Sequence, residues 1–253
     1  MALTIPKPYI YLGAGLAGVG IFLLSRKAFA GTRTGTGTVG TPGMSGITEA
    51  PADGPRAEPM YVGKPGDPGV EALLAEMNSY FASEGVGLNL ITAEEVTTMR
   101  KAPGKPHAIP PRPYWPRMAR TITQLFMPLR KRMGEPLQIL NGYRPPDYNK
   151  AVTCTEEDVF GNCTEWTDGS RHQWFDGLDI MIPASASTHA NRSQLALEGA
   201  RLYLEEGHRL GVGFGAYDPA PPQAPGNIHL DASEKRRTWA NADYWIEQAG
   251  AVA

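Results

Sequence analysis

A chain of 253 residues, 42% of them hydrophobic, is long enough for one sizeable domain with appendages and apolar enough to fill a packed core. Its net charge of −2 gives no electrostatic footprint for nucleic acid, so no nucleic-acid partner is expected. The only two cysteines, Cys154 and Cys163, lie close together in CTEEDVFGNC without the spacing of a zinc knuckle. Either they form a disulfide closing a small loop, which would point to an oxidising compartment, or they are two free thiols.

Residues 9–24, YIYLGAGLAGVGIFLL, carry no charge and lie between Lys7 and the pair Arg26, Lys27. The run is near the lower limit of about 17 residues for a membrane span. It reads as a signal peptide with Ala28-Phe29-Ala30 as its cleavage site, or as an uncleaved anchor; either makes the membrane a partner of segment 1–30. Arg26, Lys27 and Arg33 outnumber Lys7, which favours a cytoplasmic C-terminal side and runs against export. The glycines and alanines of the run resemble the signal-anchor-release segments of some phage lysins. Residues 31–58, rich in Gly, Thr and Pro, cannot bury apolar area and are expected to form a flexible tether. The folded domain is expected over 59–253.

Val70, Leu73, Leu74, Met77, Tyr80 and Phe81 fall at helical spacing and predict a helix over 68–83. Met118, Ile122, Leu125 and Leu129 predict a second, ending near Met133-Gly134. PLQILNGYR (136–144) reads as a short buried strand running into a turn. FDGLDIMIP (175–183) reads as another, with Leu178, Ile180 and Ile182 on one face and Asp179 on the other. A third helix is predicted over 193–210, then brief strands in GVGFGAY and NIHLD, separated by the loop DPAPPQAPG. Helices come first and short strands later, so the class is α+β: a small mixed or antiparallel sheet with flanking helices.

Of the five histidines, His107, His189 and His208 read as surface residues. His172 and His229 each accompany an aspartate near a short apolar strand. His172 and Asp179 facing one pocket, with His229 from a neighbouring strand, would give two imidazoles and a carboxylate with a fourth position left for water. That is the arrangement of a catalytic rather than a structural zinc. The alternative is a pair of satisfied histidines at strand ends.

Three blocks then occur in order: NGYRPPDYN (141–149), SRHQWFDGLD (170–179) and GVGFGAY…NIHLD (211–231). They resemble the zinc D-Ala-D-Ala carboxypeptidase and endopeptidase family of cell-wall enzymes and phage lysins, over roughly residues 115–232. The family's central motif is S-x-H-x-x-G-x-A-x-D, matched here by Ser170, His172 and Asp179. Its last ligand lies in an H-x-D or H-x-H element, matched by His229 and Asp231.

The resemblance implies a zinc-peptidase fold of the Hedgehog/DD-peptidase type, with Zn2+ held by His172, Asp179 and His229. Arg144 would bind a substrate carboxylate or carbonyl, or else hold the turn. Ser170 would hydrogen-bond near the site, Tyr143, Asp147 and Asn149 would shape the turn, and Asp231 would orient His229. Two departures stand out: Phe175 replaces the motif's glycine and Gly177 its alanine. A third bears on catalysis, because the glutamate that many relatives carry three residues before the last histidine is here Gly226. Asp218 and Asp231 are the nearest carboxylates to serve as acid or base.

The expected function is therefore hydrolysis of peptide bonds in peptidoglycan by an exported or membrane-tethered zinc peptidase of bacterial or phage origin. The competing expectation is a non-catalytic wall-binding or virion structural protein on the same fold. The acidic insertion 153–169 reads as a disulfide-stapled flap over the cleft or as a solvated loop.

Overall fold

The computed structural model describes residues 47–51 and 54–251. The apolar run 9–24 and the tether up to residue 46 lie outside the described residues. Among those described, no helix is long and apolar enough to cross a membrane. The last part of the expected tether is held against the domain: Ala57 is fully buried, and Ala50 and Ala57 donate backbone hydrogen bonds to Pro113 and Gln173.

The first helix follows from its sequence as expected. Asp67 caps α1 (Pro68–Ser83) by accepting from the Gly69 amide at 2.8 Å, and Pro68 takes the first turn, where its missing N–H costs nothing. Val70, Leu74, Met77, Tyr80 and Phe81 form its buried stripe, each side chain contributing about 1.5–3 kcal/mol by leaving water. Two strands that periodicity did not reveal, β1 (Tyr61–Gly63) and β2 (His107–Ile109), pair beside α1, and a short helix α2 (Ala93–Thr97) lies between them in sequence. Thr92 and Glu95 close a capping box at its start.

The second expected helix is three pieces on one axis: α3 (Trp115–Thr121), a π-helical turn (Ile122–Phe126) and α4 (Met127–Met133), ended by left-handed Gly134. The wide turn has a local cause. Pro128 has no N–H to give the Gln124 carbonyl, and its ring would collide with that oxygen in a regular helix.

The main sheet has five strands in the order β3-β6-β8-β7-β9: β3 (Gln138–Asn141), β6 (Gly177–Met181), β7 (Val212–Ala216), β8 (Ile228–Ala232) and β9 (Arg237–Ala240). All neighbours are antiparallel except β7 and β9, so the sheet is mixed and the fold is α+β. Between β3 and β6 come α5 (Pro146–Val152) and a two-stranded hairpin, β4 (Glu156–Glu157) and β5 (Cys163–Glu165), closed by a Cys154–Cys163 disulfide. Val159 and Phe160 at the hairpin tip are exposed.

Helix α6 (His189–Leu210) and the C-terminal α7 (Ala242–Ala251) pack on each other and on β7. Register puts Leu178, Leu230 and Phe214 in one row and Ile180, Ile228 and Ala216 in the next, all buried. Gly199 of α6 lies against Ile228 and Phe214, so α6 covers this apolar face. The opposite face is free to carry polar chemistry.

Candidate metal centre

That opposite face has two polar rows set by register. In one, Asn141, Asp179, His229, Gly215 and Trp239 follow one another across β3, β6, β8, β7 and β9. In the other, Gly177, Asp231, Gly213 and Arg237 do the same. The glycines make room for their neighbours. A Cβ on Gly213 would lie 2.2 Å from Asp231 Oδ2, one on Gly215 2.4 Å from Trp239 Nε1, and one on Gly177 2.7 Å from His229 Cε1. The repeated glycines of GVGFG and the glycine before Asp179 are thus steric requirements of the site.

His172 reaches the same place from outside the sheet. It sits on a single 3-10 turn (Arg171–Trp174) that folds back over Gly177, and Phe175 ends the turn at φ 55. A left-handed backbone is the place for glycine, the residue the resembled motif has there. Phe175 holds it at a cost in strain, offset by a fully buried ring set edge-on to Tyr143 at 5.7 Å. The exchange of bulk between 175 and 177 therefore has a reason at each end: a packed ring at one, room for His229 at the other.

Hydrogen bonds assign the nitrogens. His172 Nδ1 lies 2.6 Å from the Gly142 carbonyl, an acceptor only, so Nδ1 carries the proton and Nε2 is bare. His229 Nε2 lies 3.3 Å from Asp231 Oδ2 without hydrogen-bonding it, and the ring's one hydrogen-bond contact is from Nδ1 to Asp179 Oδ1. One nitrogen of each ring converges on one oxygen, Asp179 Oδ1, at 3.1 Å from His172 Nε2 and 3.0 Å from His229 Nδ1. The other oxygen, Oδ2, is held by the Arg144 guanidinium and by Asn141 Nδ2 at 3.0 Å, so Asp179 turns Oδ1 toward the histidines.

The bare His172 Nε2 and Asp179 Oδ1 bring lone pairs together in a buried place, where a proton on His229 or a metal ion can offset their repulsion. His172 Nε2 is buried with no hydrogen-bond partner. One ligand atom from each of His172, Asp179 and His229 lies within 4.8 Å of the others, so this buried group can hold a metal ion. Two imidazoles and one carboxylate are a donor set suited to a borderline divalent ion.

Burial, with Arg144 beside it, pushes His172 down to about 4, so it stays neutral at pH 7. Burial also opposes a charge on His229, but the carboxylates of Asp179 and Asp231 outweigh it and raise this histidine above its ordinary value. Burial would raise Asp179, yet His172, His229 and Arg144 hold it well below the usual carboxylate range. Asp231, fully buried, is lowered against burial by His229 and Arg237, and Arg237 Nη2 donates to its Oδ1 at 3.0 Å. Asp231 stands beside His229, is paired with Arg237 and lines neither of the clefts that open on the site.

Two clefts open on the site. One, of about 460 Å³, is lined by His229, Trp239, Thr238 and Arg237; the other, of about 430 Å³, by Asp179, Arg144, Asn141, Arg100 and Lys101. Ser170, Thr167 and Tyr217 line both. Ser170 thus stands at both clefts, and its hydroxyl makes no hydrogen bond with protein among the described residues. Arg144 holds Asp179 and lines the second cleft.

Asp218 is exposed in the loop after β7 and lines neither cleft; its carbonyl, not its carboxylate, is tied inward by the Gly226 amide at 2.9 Å. His107 departs from the surface reading: it is buried on β2, with Nδ1 3.1 Å from Thr97 Oγ1. His189 is exposed.

Sequence reasoning missed Asn141, Trp239 and Tyr217. Asn141 was legible as a polar residue at the end of a buried strand. Trp239, its ring 4.9 Å from that of His229, lies on a strand with no clear alternation to announce it. Burial and the charge of Asp179 push the Tyr217 phenol up to about 12. Compared with protein-family models, curated proteins and solved structures, the chain matches none.

Proposed function

We propose that the chain is a zinc-dependent peptidase that hydrolyses peptide bonds of bacterial peptidoglycan, in the stem peptide or cross-bridge, from an exported or membrane-tethered position. The observation that carries this reading is the convergence of His172 Nε2 and His229 Nδ1 on Asp179 Oδ1, with His229 lining one cleft and Asp179 the other. A structural zinc would be enclosed by four protein ligands; here three protein groups converge beside open space. Zinc bound there would lower the pKa of water to about 7 and polarise a carbonyl.

The chain's own residues do the rest. Gly142 fixes the tautomer of His172, Asp231 stands 3.3 Å from His229 Nε2, and Arg144 and Asn141 fix the carboxylate. Arg100, Lys101 and Arg144 make the Asp179 cleft cationic, with Asp179 the only acid lining it among the described residues, so a substrate carboxylate belongs there. The Trp239 cleft offers an aromatic wall.

A second reading has one specific observation behind it. Besides Asp179, no aspartate or glutamate lines either cleft among the described residues, and Gly226 stands where the resembled family carries its glutamate. A wall-binding or virion structural protein that keeps the metal would look the same.

Incubating the full chain with purified peptidoglycan, with and without a zinc chelator, separates the two. The peptidase reading expects chelator-sensitive release of fragments whose masses name the bond, and none from His172→Ala. A folded, zinc-loaded chain that binds peptidoglycan and releases nothing supports the second reading.

A further inference from the structure

Hydrolysis of an amide needs more than a metal and a water. As water adds to the carbonyl carbon, charge accumulates on the carbonyl oxygen, and a donor fixed in advance at that place lowers the barrier without reorganising. The acid best placed to assist in the resembled family is missing here, at Gly226. Among the described residues, the polar side chains that line both clefts belong to Ser170, Thr167 and Tyr217.

Tyr217 is the one whose hydroxyl is positioned. Trp239 Nε1 donates to the Tyr217 oxygen at 3.1 Å, and indole N–H is a donor only, so the phenol proton must point elsewhere. Among the described residues no protein acceptor takes that proton. Trp239 is itself anchored: its ring packs edge-on to His229 at 4.9 Å, and Gly215 leaves the space its indole nitrogen fills. The register of the sheet thus links the ligand His229 through Trp239 to the Tyr217 hydroxyl. The Tyr217 backbone is fixed as well, its N–H donating to the Asn227 carbonyl at 3.1 Å just before β8 begins.

We propose that Tyr217 is a catalytic residue of this site: its O–H, aimed by Trp239, donates a hydrogen bond to the scissile carbonyl oxygen as negative charge builds there. The inference rests on the peptidase reading. Tyr217 keeps its proton throughout. Water's oxygen forms the new bond to carbon, the C–N bond breaks, and the proton gained by the leaving nitrogen comes from that water.

The test compares full-length wild type with Tyr217→Phe and Trp239→Phe. Zinc content and melting temperature report the integrity of the site, and kcat and KM are read on a soluble fragment that the wild type cleaves. Tyr217→Phe should keep its zinc and KM while kcat falls about 100-fold, the usual loss for one oxyanion donor. Trp239→Phe, which loses only the aiming bond, should fall less. Binding gives a readout independent of turnover. A phosphinate analogue of the cleaved bond should bind Tyr217→Phe more weakly by a similar factor, while the unreacted fragment binds equally well to both. Unchanged kcat and phosphinate affinity in a zinc-loaded Tyr217→Phe would overturn the role of Tyr217 and leave the peptidase reading standing. No turnover by zinc-loaded wild type would overturn both.

Discussion

His172 and His229 touch the same carboxylate oxygen yet shift in opposite directions, because Arg144 stands beside buried His172 while His229 has a second carboxylate, Asp231, beside it. Protons and metal compete for the same lone pairs, so this difference sets how metal affinity depends on pH. His172, pushed down to about 4, is neutral and ready for metal throughout the range above that. His229, raised above its ordinary value, must lose a proton first. Zinc affinity should therefore fall as pH drops through the His229 value, by about tenfold per pH unit as for one competing proton, and more steeply only near pH 4. A competitive chelator titration between pH 7 and 5 reads this directly; a two-proton slope there would mean that His172 is not held down. Gly177 tests the packing around the same histidine. Gly177→Ala places a methyl 2.7 Å from His229 Cε1, and the ring is pinned on both sides by Asp179 and Asp231. The chain should stay folded and lose about 10–100-fold in zinc affinity, as when a supporting contact of a ligand is disturbed. Undiminished affinity would show that the ring has room to slide. The triad was legible because its residues lie in short, spaced blocks. The partners that set its tautomers were less so, since the Gly142 carbonyl carries no side-chain signature at all.

At the scale of elements, strong periodicity was the reliable guide. The helix over 68–83 is α1, and the strands read in PLQILNGYR, FDGLDIMIP, GVGFGAY and NIHLD hold the shorter β3, β6, β7 and β8. Helix α6 begins four residues before the expected start at 193, at His189, behind a Thr188 cap that accepts from the Asn191 amide. What escaped was short or aperiodic. Helix α2 has five residues and announces itself only by its capping box, Thr92 with Glu95. Strand β9 has four residues, and α7 packs Ala242, Trp245 and Ala249 rather than a run of large apolar side chains. The hairpin of β4 and β5 has too few strand residues to hold itself, and both of its strands carry exposed acids. Its disulfide, with a sequence separation of 9, is worth about 3 kcal/mol by loop-entropy reasoning. Reduction should therefore speed amide exchange across 155–165 while amides of β6 and β8 stay protected. Loss of protection in the main sheet on reduction would show that the hairpin supports the core.

At the scale of the molecule, residues 47–51 and 54–58 belong to the domain in a way composition could not reveal, because much of their contribution is backbone hydrogen bonding. Arg117 donates to the Ala50 carbonyl at 2.9 Å, Trp174 Nε1 to that of Gly54 at 2.9 Å and the Tyr114 hydroxyl to that of Pro55 at 2.6 Å. The buried Tyr143 hydroxyl donates to the Ala57 carbonyl. Arg117 also meets Asp176 at 3.3 Å, which Arg171 grips from the other side, so the segment, α3 and the turn bearing His172 share one buried polar knot. Each buried donor left without its acceptor costs about 1–3 kcal/mol. A chain starting at residue 59 should thus be several kcal/mol less stable in denaturant unfolding than one starting at 47; equal midpoints would make the segment a bystander. The central claim is the metal itself. Anomalous diffraction at the zinc edge, on crystals of the zinc-loaded chain, would locate it. The expected result is a single peak bounded by His172 Nε2, His229 Nδ1 and Asp179, with its remaining side open to the cleft, and no peak in His172→Ala. A peak elsewhere, or an unchanged one in His172→Ala, would contradict it.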